Sequence, residues 1–374
     1  MKVIHIITGL NDGGAEGALF RLVTSSHTES VHKVISLMGN GKYGSKLRES
    51  GIEVVTLDMP RGKVTFNALR RLYSILKKEN PDVVQTWMYH ADLFGGILAR
   101  LSGCKNICWG IRHSNLSPVV NSRSTLMIVK LCSWFSTWIP TKIISCAEES
   151  VNVHKAFGYK GDFSVVPNGY DTDQFKPNAL LGQQAREELG LTGNIAVIGF
   201  VARWDPQKDH NNLLSALQIV KNKHPNIRCI LVGTNCDESN SDLVAIINDL
   251  GIGDNIILLG RRNDIPAIMN SIDLHVLSSC GEAFPNVVAE AMASGTPCVV
   301  TNVGDASLIV GDTGWVVPSK NSSQLASAIE LALSEMQNAS TWSIRRSNCS
   351  ERINDKFSLA KMVDGYRRNW HQAN

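Results

Sequence analysis

Short runs of β-branched and apolar residues, each followed by a stretch long enough for a helix, recur along the chain and restrict its fold more than any other feature. Residues 3–7, 31–37, 53–57, 83–86, 107–111 and 142–146 read as strands. Between them lie a helix from about Glu16, a short one at 42–49, an amphipathic one at 65–79 and one at 91–101. Strands alternating with helices of roughly 10–15 residues imply parallel βαβ units. After a polar segment at 171–189 the pattern restarts, with strands at 195–200, 229–232, 256–259, 274–277 and 297–301. The class is therefore α/β, with two successive parallel-sheet domains and a linker near 170–190. A length of 374 residues agrees with two domains of ~100–200 residues each. The tail places Leu359, Met362, Val363, Tyr366 and Trp370 on one helical face.

Composition narrows the function classes. With 43% hydrophobic and 19% charged residues the chain reads as globular rather than disordered. A net charge of +3 lacks the clustered excess that nucleic acid requires, so no nucleic-acid partner is expected. The nine cysteines are scattered without a close pair, which argues for reduced thiols rather than a disulfide framework or zinc site. No basic and apolar leader precedes the first strand, and the apolar stretch 126–139 is shorter than the ~20 residues of a membrane span. A cytoplasmic protein is the expectation.

Four constellations carry chemistry. The loop from Thr8 to Glu16 follows a strand and opens a helix, with Gly13 and Gly14 at the turn. Unpaired N–H groups at a helix start suit a phosphate, and glycines let the backbone approach it. The same loop also serves as a plain βα turn, and it is not the GxGxxG dinucleotide fingerprint. Arg203 and Lys208 lie just beyond the first strand of the second half, where ligands of open α/β sheets bind. Together they can neutralise a diphosphate, or they are solvated surface cations. Glu282 and Glu290 flank the start of a helix near Asn286 that stops at Gly295. Their carboxylates can accept bonds from sugar hydroxyls, while the N–H groups of Phe284, Asn286 and Val287 sit at the positive helix end. Alternatively one glutamate serves the helix dipole and the other is solvated. His90 and His113 each follow a first-half strand. Asp171 and Asp173 resemble a metal-binding Asp-x-Asp, but Asn168 and Gly169 beside them mark turn chemistry, so no metal is expected.

In order and spacing these residues resemble the retaining glycosyltransferases of family 4, which have the GT-B fold: two Rossmann-like domains facing across a cleft. The likeness rests on Glu282…Glu290, Arg203…Lys208, the turn Val166-Pro167-Asn168-Gly169 and Gly13-Gly14-Ala15-Glu16, and it covers nearly the whole chain. It implies an acceptor-side domain at 1–172, a donor domain at 173–356, and a terminal helix at 357–374 packed back on the first. It implies that Arg203 and Lys208 hold a donor diphosphate, Glu290 the ribose and Glu282 the transferred sugar, helped by Phe284, Asn286 and Val287. Gly13 and Gly14 would close on the donor, His113 would lie near its sugar, and Arg262 near its base. Ala202 and Ala283 stand where the family often has Gly, which keeps both loops small. The implied reaction moves a sugar from a nucleotide-sugar, expected to be a UDP-sugar, to a hydroxyl of a glycan or polyprenyl-linked glycan, with retention and without cofactor or metal. Cell-surface polysaccharide synthesis is the implied setting. A sugar-nucleotide epimerase of the same fold, or a non-catalytic sugar-nucleotide-binding subunit, stays open at this point.

Members of this family often work on lipid-carried glycans at the cytosolic side of a membrane. The helix at 65–79 combines Arg70, Arg71, Lys77 and Lys78 with Phe66 and Tyr73, and the segment 123–142 combines Trp134, Phe135 and Trp138 with Arg123, Lys130 and Lys142. Basic and aromatic side chains together suit an anionic lipid surface, so peripheral contact at the inner face of the cell membrane is expected. The other account is two amphipathic helices that cover the first domain's sheet.

Overall fold

In the computed structural model, which describes residues 1–25, 30–118, 121–191, 193 and 195–372, the alternation becomes two parallel sheets. The chain divides into two units, Met1–Gly169 with Leu359–Asn374, and Tyr170–Ser358. The boundaries fall two or three residues from those read from the sequence, and the last two residues of the expected terminal segment lie outside the described residues. Where the chain enters and leaves the second unit, Tyr170 N donates to Phe357 O at 3.0 Å.

The first unit contains β1 (Lys2–Ile7), α1 (Gly14–Thr24), β2 (Val31–Ser36), α2 (Gly41–Glu49), β3 (Glu53–Thr56), α3 (Phe66–Glu79) and β4 (Val83–Trp87). A π-turn at Ala91–Gly95 runs into α4 (Gly96–Ser102), followed by β5 (Ile107–Ile111), α5 (Arg123–Phe135), β6 (Lys142–Ser145), α6 (Glu148–Phe157) and β7 (Phe163–Val165). The strand order is β3-β2-β1-β4-β5-β6-β7, so it reverses direction between β1 and β4. That reversal is the topological switch point, where loops diverge and leave a crevice.

One core layer packs α3, α4 and α5 against the sheet through residues such as Leu72, Ala99 and Val129. The other packs α1, α2 and the terminal helix, Leu359–Gln372, through Leu19, Leu47 and Tyr366. Met362, Val363, Tyr366 and Trp370 are all buried, as the one-face pattern requires. Trp370 Nε1 donates to Gln85 Oε1 at 3.1 Å, and Asn106 Nδ2 donates to Trp370 O at 2.6 Å. These bonds satisfy polar groups that the all-buried β4 and β5 region would otherwise strand.

The second unit begins with α7 (Ala179–Glu188), in the segment read as a polar linker. It continues through β8 (Val197–Val201), α8 (His210–Lys221), β9 (Arg228–Val232), α9 (Ser241–Asp249), β10 (Ile256–Gly260), α10 (Ile265–Ser271) and β11 (Leu274–Leu277). Then follow α11 (Asn286–Ala293), β12 (Cys298–Thr301), α12 (Ala306–Val310), β13 (Trp315–Val317), α13 (Ser322–Met336) and α14 (Ala339–Phe357). Its order is β10-β9-β8-β11-β12-β13, which puts the switch point between β8 and β11.

Candidate functional site

The loops leaving β8 and β11 meet at this switch point. Beyond β8, Ala202 N donates to Val232 O at 2.8 Å and Trp204 N to Thr234 O at 2.9 Å, so the loop is tied to the end of β9. Gly233 has φ +154, and a Cβ there would lie 2.0 Å from Ala202 O, which makes this close approach a glycine requirement. Arg203, exposed, donates from Nε and Nη2 to Asp205 Oδ2 at 3.1 and 3.0 Å. The other oxygen of Asp205 accepts from Gln207 N at 2.9 Å and caps the short 3₁₀ turn Pro206–Lys208. Burial opposes the charge on Asp205, but the Gln207 N–H and the Arg203 guanidinium outweigh it and hold the carboxyl below its usual range.

The turn delivers Lys208 to Glu282, 74 positions away, with Nζ to Oε1 at 2.5 Å. Both side chains are mostly shielded, at 19% and 12% exposure. Three consecutive residues after β11 tie the loops together. Ser278 Oγ lies 3.0 and 2.9 Å from the carbonyl oxygens of Lys208 and Asp209. Ser279 Oγ donates to Glu282 Oε1 at 2.7 Å, and Cys280 N donates to Gln207 O at 2.8 Å. Gly304, at φ +52, lets the chain after β12 pass against this loop, since a Cβ would sit 2.5 Å from Glu282 O and 2.4 Å from Ala283 O.

Helix α11 follows directly. Its first turn holds no acidic side chain, so the positive helix end is not neutralised from within. Phe284, buried, lies between Tyr170 and Phe357, with ring centroids 6.4 and 5.6 Å away. Tyr170 Oη donates to Asn286 Oδ1 at 2.6 Å. Val287 and Glu290 are half-buried in the first and second turns. Arg262 is placed elsewhere: beyond β10, two strands from β8, it donates to Asp264 at 2.8 and 2.7 Å and to Glu188 of α7 at 3.0 Å. Its bonds to the Asp264 and Glu188 carboxylates push its pKa up.

In the first unit the switch point lies beside the loop before α1. Gly13 caps α1 with extended backbone, and a Cβ there would lie 2.4 Å from Glu16 Oε2, so the Glu16 carboxylate folds back over the helix start. Burial raises the pKa of that carboxyl, Glu16's own backbone N–H lowers it, Asp12 adds to the rise and Arg112 opposes it. Arg112, the residue after β5, joins this site in the structure without a motif of its own. Its guanidinium lies 5.1 Å from the Trp87 ring centroid and donates to Tyr366 Oη at 3.3 Å and to Asn168 Oδ1. Its place one residue before His113 at a strand end was the available signal. His113 is half-buried beside it, and burial lowers the pKa of His90 beyond β4. Asp171 Oδ1 accepts from Asp173 N at 2.9 Å and Gln174 N at 3.3 Å, which is turn chemistry. Among the described residues no group of three or more His, Cys, Asp or Glu is arranged to hold a metal ion.

Two family models match, one per half: Glycosyltransferase Family 4 over residues 20–174 and Glycosyl transferases group 1 over residues 183–352. The UDP-Gal:alpha-D-GlcNAc-diphosphoundecaprenol alpha-1,3-galactosyltransferase of Escherichia coli is 28% identical over 306 residues, 80% of this chain and 77% of that protein. The D-inositol 3-phosphate glycosyltransferase of Mycobacterium marinum is 32% identical over 191 residues, 49% of this chain and 39% of that protein. Among solved structures, Anabaena Alr3699/HepE in complex with UDP superposes with a TM-score of 0.85 at 22% identity, covering 100% of both chains.

Proposed function

The chain belongs to the family 4 glycosyltransferases, with two Rossmann-like domains of the GT-B fold, and from that premise we propose that it moves a sugar from a UDP-sugar to a hydroxyl of a polyprenyl-diphosphate-linked glycan, with retention at the anomeric carbon. Assembly of a cell-surface polysaccharide is the setting that fits such an acceptor. The observation that carries the reading is the Lys208–Glu282 pair at the switch point of the second unit, with Arg203 on the same loop as Lys208. The donor and acceptor classes follow the E. coli relative's UDP-Gal and diphosphoundecaprenol-linked sugar, and the UDP bound by the Anabaena fold neighbour agrees with the donor.

In this reading Arg203 and Lys208 take the diphosphate, whose charge grows as it leaves, so their bonds strengthen in the transition state. Glu282 and the N–H groups of Phe284, Asn286 and Val287 hold the sugar, and Glu290 the ribose. The acceptor hydroxyl attacks on the face the diphosphate leaves, and a leaving-group oxygen takes its proton. Gly13, Gly14 and His113 are assigned to the donor by family likeness alone, as is Arg262 to the base. The two cations do the work of a metal, so none is required. The test is a panel of UDP-, GDP- and ADP-sugars with and without GlcNAc-diphosphate-undecaprenol. Acceptor-dependent UDP release supports the proposal. A sugar nucleotide epimerised without acceptor, or no UDP-sugar consumed, overturns it.

Contact with an anionic membrane is part of the proposal. Among the described residues no helix is long and apolar enough to cross a membrane. Helices α3 and α5 bury their inner sides in one core layer and turn outward Phe66, 78% exposed, and Trp134, 64%, while the turn after α5 exposes Trp138, 81%. Their outer faces carry Arg70, Arg71, Lys77, Lys78, Arg123 and Lys130, all exposed. The only acid on either helix, Glu79, is paired with Lys2 at 2.5 Å and Lys33 at 2.7 Å. Co-sedimentation with anionic vesicles at low salt, lost at high salt and weakened by Trp134→Ala with Trp138→Ala, is the expected result. Equal partitioning to neutral vesicles, or none to anionic ones, contradicts it.

A further inference from the structure

We propose that Ser279 is a positioning residue of the donor site, holding Glu282 in place while Lys208 changes partner from that carboxylate to the donor's diphosphate. The proposal rests on the reading of Lys208 and Glu282 as donor-binding groups. The Lys208 ammonium and the Ser279 hydroxyl converge on one oxygen, Glu282 Oε1, at 2.5 and 2.7 Å. A diphosphate carries more negative charge than one carboxylate and draws the ammonium toward itself. Glu282 then gives up its cation just as it must face the sugar. A glutamate side chain has several rotatable bonds, and one released from its partner gains rotamers that transfer must freeze again.

Ser279 is built to prevent this. It is fully buried, and its carbonyl accepts from Thr301 Oγ1 of β12 at 2.6 Å, so its backbone is fixed independently of Lys208. Its neighbours Ser278 and Cys280 bond to the backbone of the Lys208 loop, so that loop keeps its course when the Lys208 side chain swings. The hydroxyl of Ser279 therefore stays on Glu282 through the exchange. A hydrogen bond to a charged group contributes about 1.5–3 kcal/mol. Loss of this one is felt in the step that needs an ordered Glu282, and not in UDP binding, which needs Lys208 and Arg203.

The experiment compares Ser279→Ala and Ser279→Thr with wild type for UDP affinity by calorimetry and for kcat with whichever UDP-sugar wild type consumes. Ser279→Ala is expected to lower kcat by roughly ten- to a hundredfold with UDP affinity within about twofold, and Ser279→Thr to recover most of the rate. Unchanged kcat, or equal losses in kcat and UDP affinity, overturns the proposal. A second measurement needs no nucleotide. Urea unfolding of Ser279→Ala, Glu282→Ala and the double variant should show a smaller shift in midpoint for the double than the sum of the singles, and additive shifts overturn the proposal. A wild type that consumes no UDP-sugar while the cycle is non-additive contradicts the donor reading and leaves the Ser279–Glu282 hold standing.

Discussion

Lys208 sits between two claims on its charge, and this sets what substitutions at the site do. Glu282 holds its ammonium in a place only 19% and 12% exposed to water. There a single-partner deletion strands the other charge. Lys208→Ala is expected to lower the transfer rate by ~10²–10³ and to weaken UDP binding, because one electrostatic contact to the leaving group is lost. Glu282→Gln separates the roles: it removes the anion that competes with the diphosphate, so UDP binds at least as tightly while transfer falls. Calorimetry and steady-state rates on that variant decide the matter, and a Glu282→Gln protein that loses UDP affinity contradicts the exchange of partners. Arg203, Lys208 and Glu282 were legible as candidates because their order beside strand ends is informative. The pairing of Lys208 with Glu282 was not, since no periodicity links positions 74 apart. Ser279 was invisible for a simpler reason: serines at strand ends are common, and only the fold-back of the loop brings its hydroxyl to Glu282. Arg262 is assigned to the base by likeness alone, and its pairing with Asp264, two residues on, carries no periodic signature.

Elements with strong periodicity were read well, and short or polar ones were not. The terminal helix put Tyr366 and Trp370 in the core as its pattern requires, while β7 and β13, three residues each, are too short to show alternation. Helix α7 has a linker-like sequence because its outward Gln183, Gln184, Glu187 and Glu188 dominate its composition. Trp370→Ala is expected to destabilise the first unit by ~3–5 kcal/mol, since it empties a buried site and strands Gln85 Oε1. Urea unfolding checks this, and a loss under about 1 kcal/mol contradicts the anchoring role. The same layer contains the first of several buried imidazoles. Burial depresses the pKa of His32 and His154 in the first unit and His210 and His275 in the second, each to about 4. A depressed pKa means the fold holds the neutral ring, while the unfolded chain takes a proton below about pH 6.5. Their stability contribution is therefore whole above pH 6.5 and is lost as pH falls toward 4, at up to ~1.4 kcal/mol per pH unit for each ring. Burial raises the pKa of Asp92 to about 8 and works in the opposite sense, one group against four, so denaturant midpoints should still fall between pH 7.5 and 5, and a flat profile over that range contradicts this.

For the whole molecule, two successive βαβ series were enough to give two parallel sheets, because a parallel pair can be connected only by a crossover long enough for a helix. The apolar face of the terminal helix shows that it packs on something, and the family resemblance implies that this is the first unit, where the helix lies. Donor, acceptor and linkage follow no such rule, because shape and a few polar contacts decide them and neither has a periodic signature. The central claim is that the Lys208–Glu282 centre transfers a sugar from a UDP-sugar without a metal. One measurement tests it most directly: product formation from the UDP-sugar that wild type consumes and GlcNAc-diphosphate-undecaprenol in the presence of EDTA, for wild type and Lys208→Ala, with the anomeric configuration of the product read by NMR. The account predicts an α-linked product from wild type in EDTA and a rate lower by ~10²–10³ in the variant. An inverted product, activity abolished by EDTA and restored by Mg²⁺, or a Lys208→Ala protein as fast as wild type contradicts it.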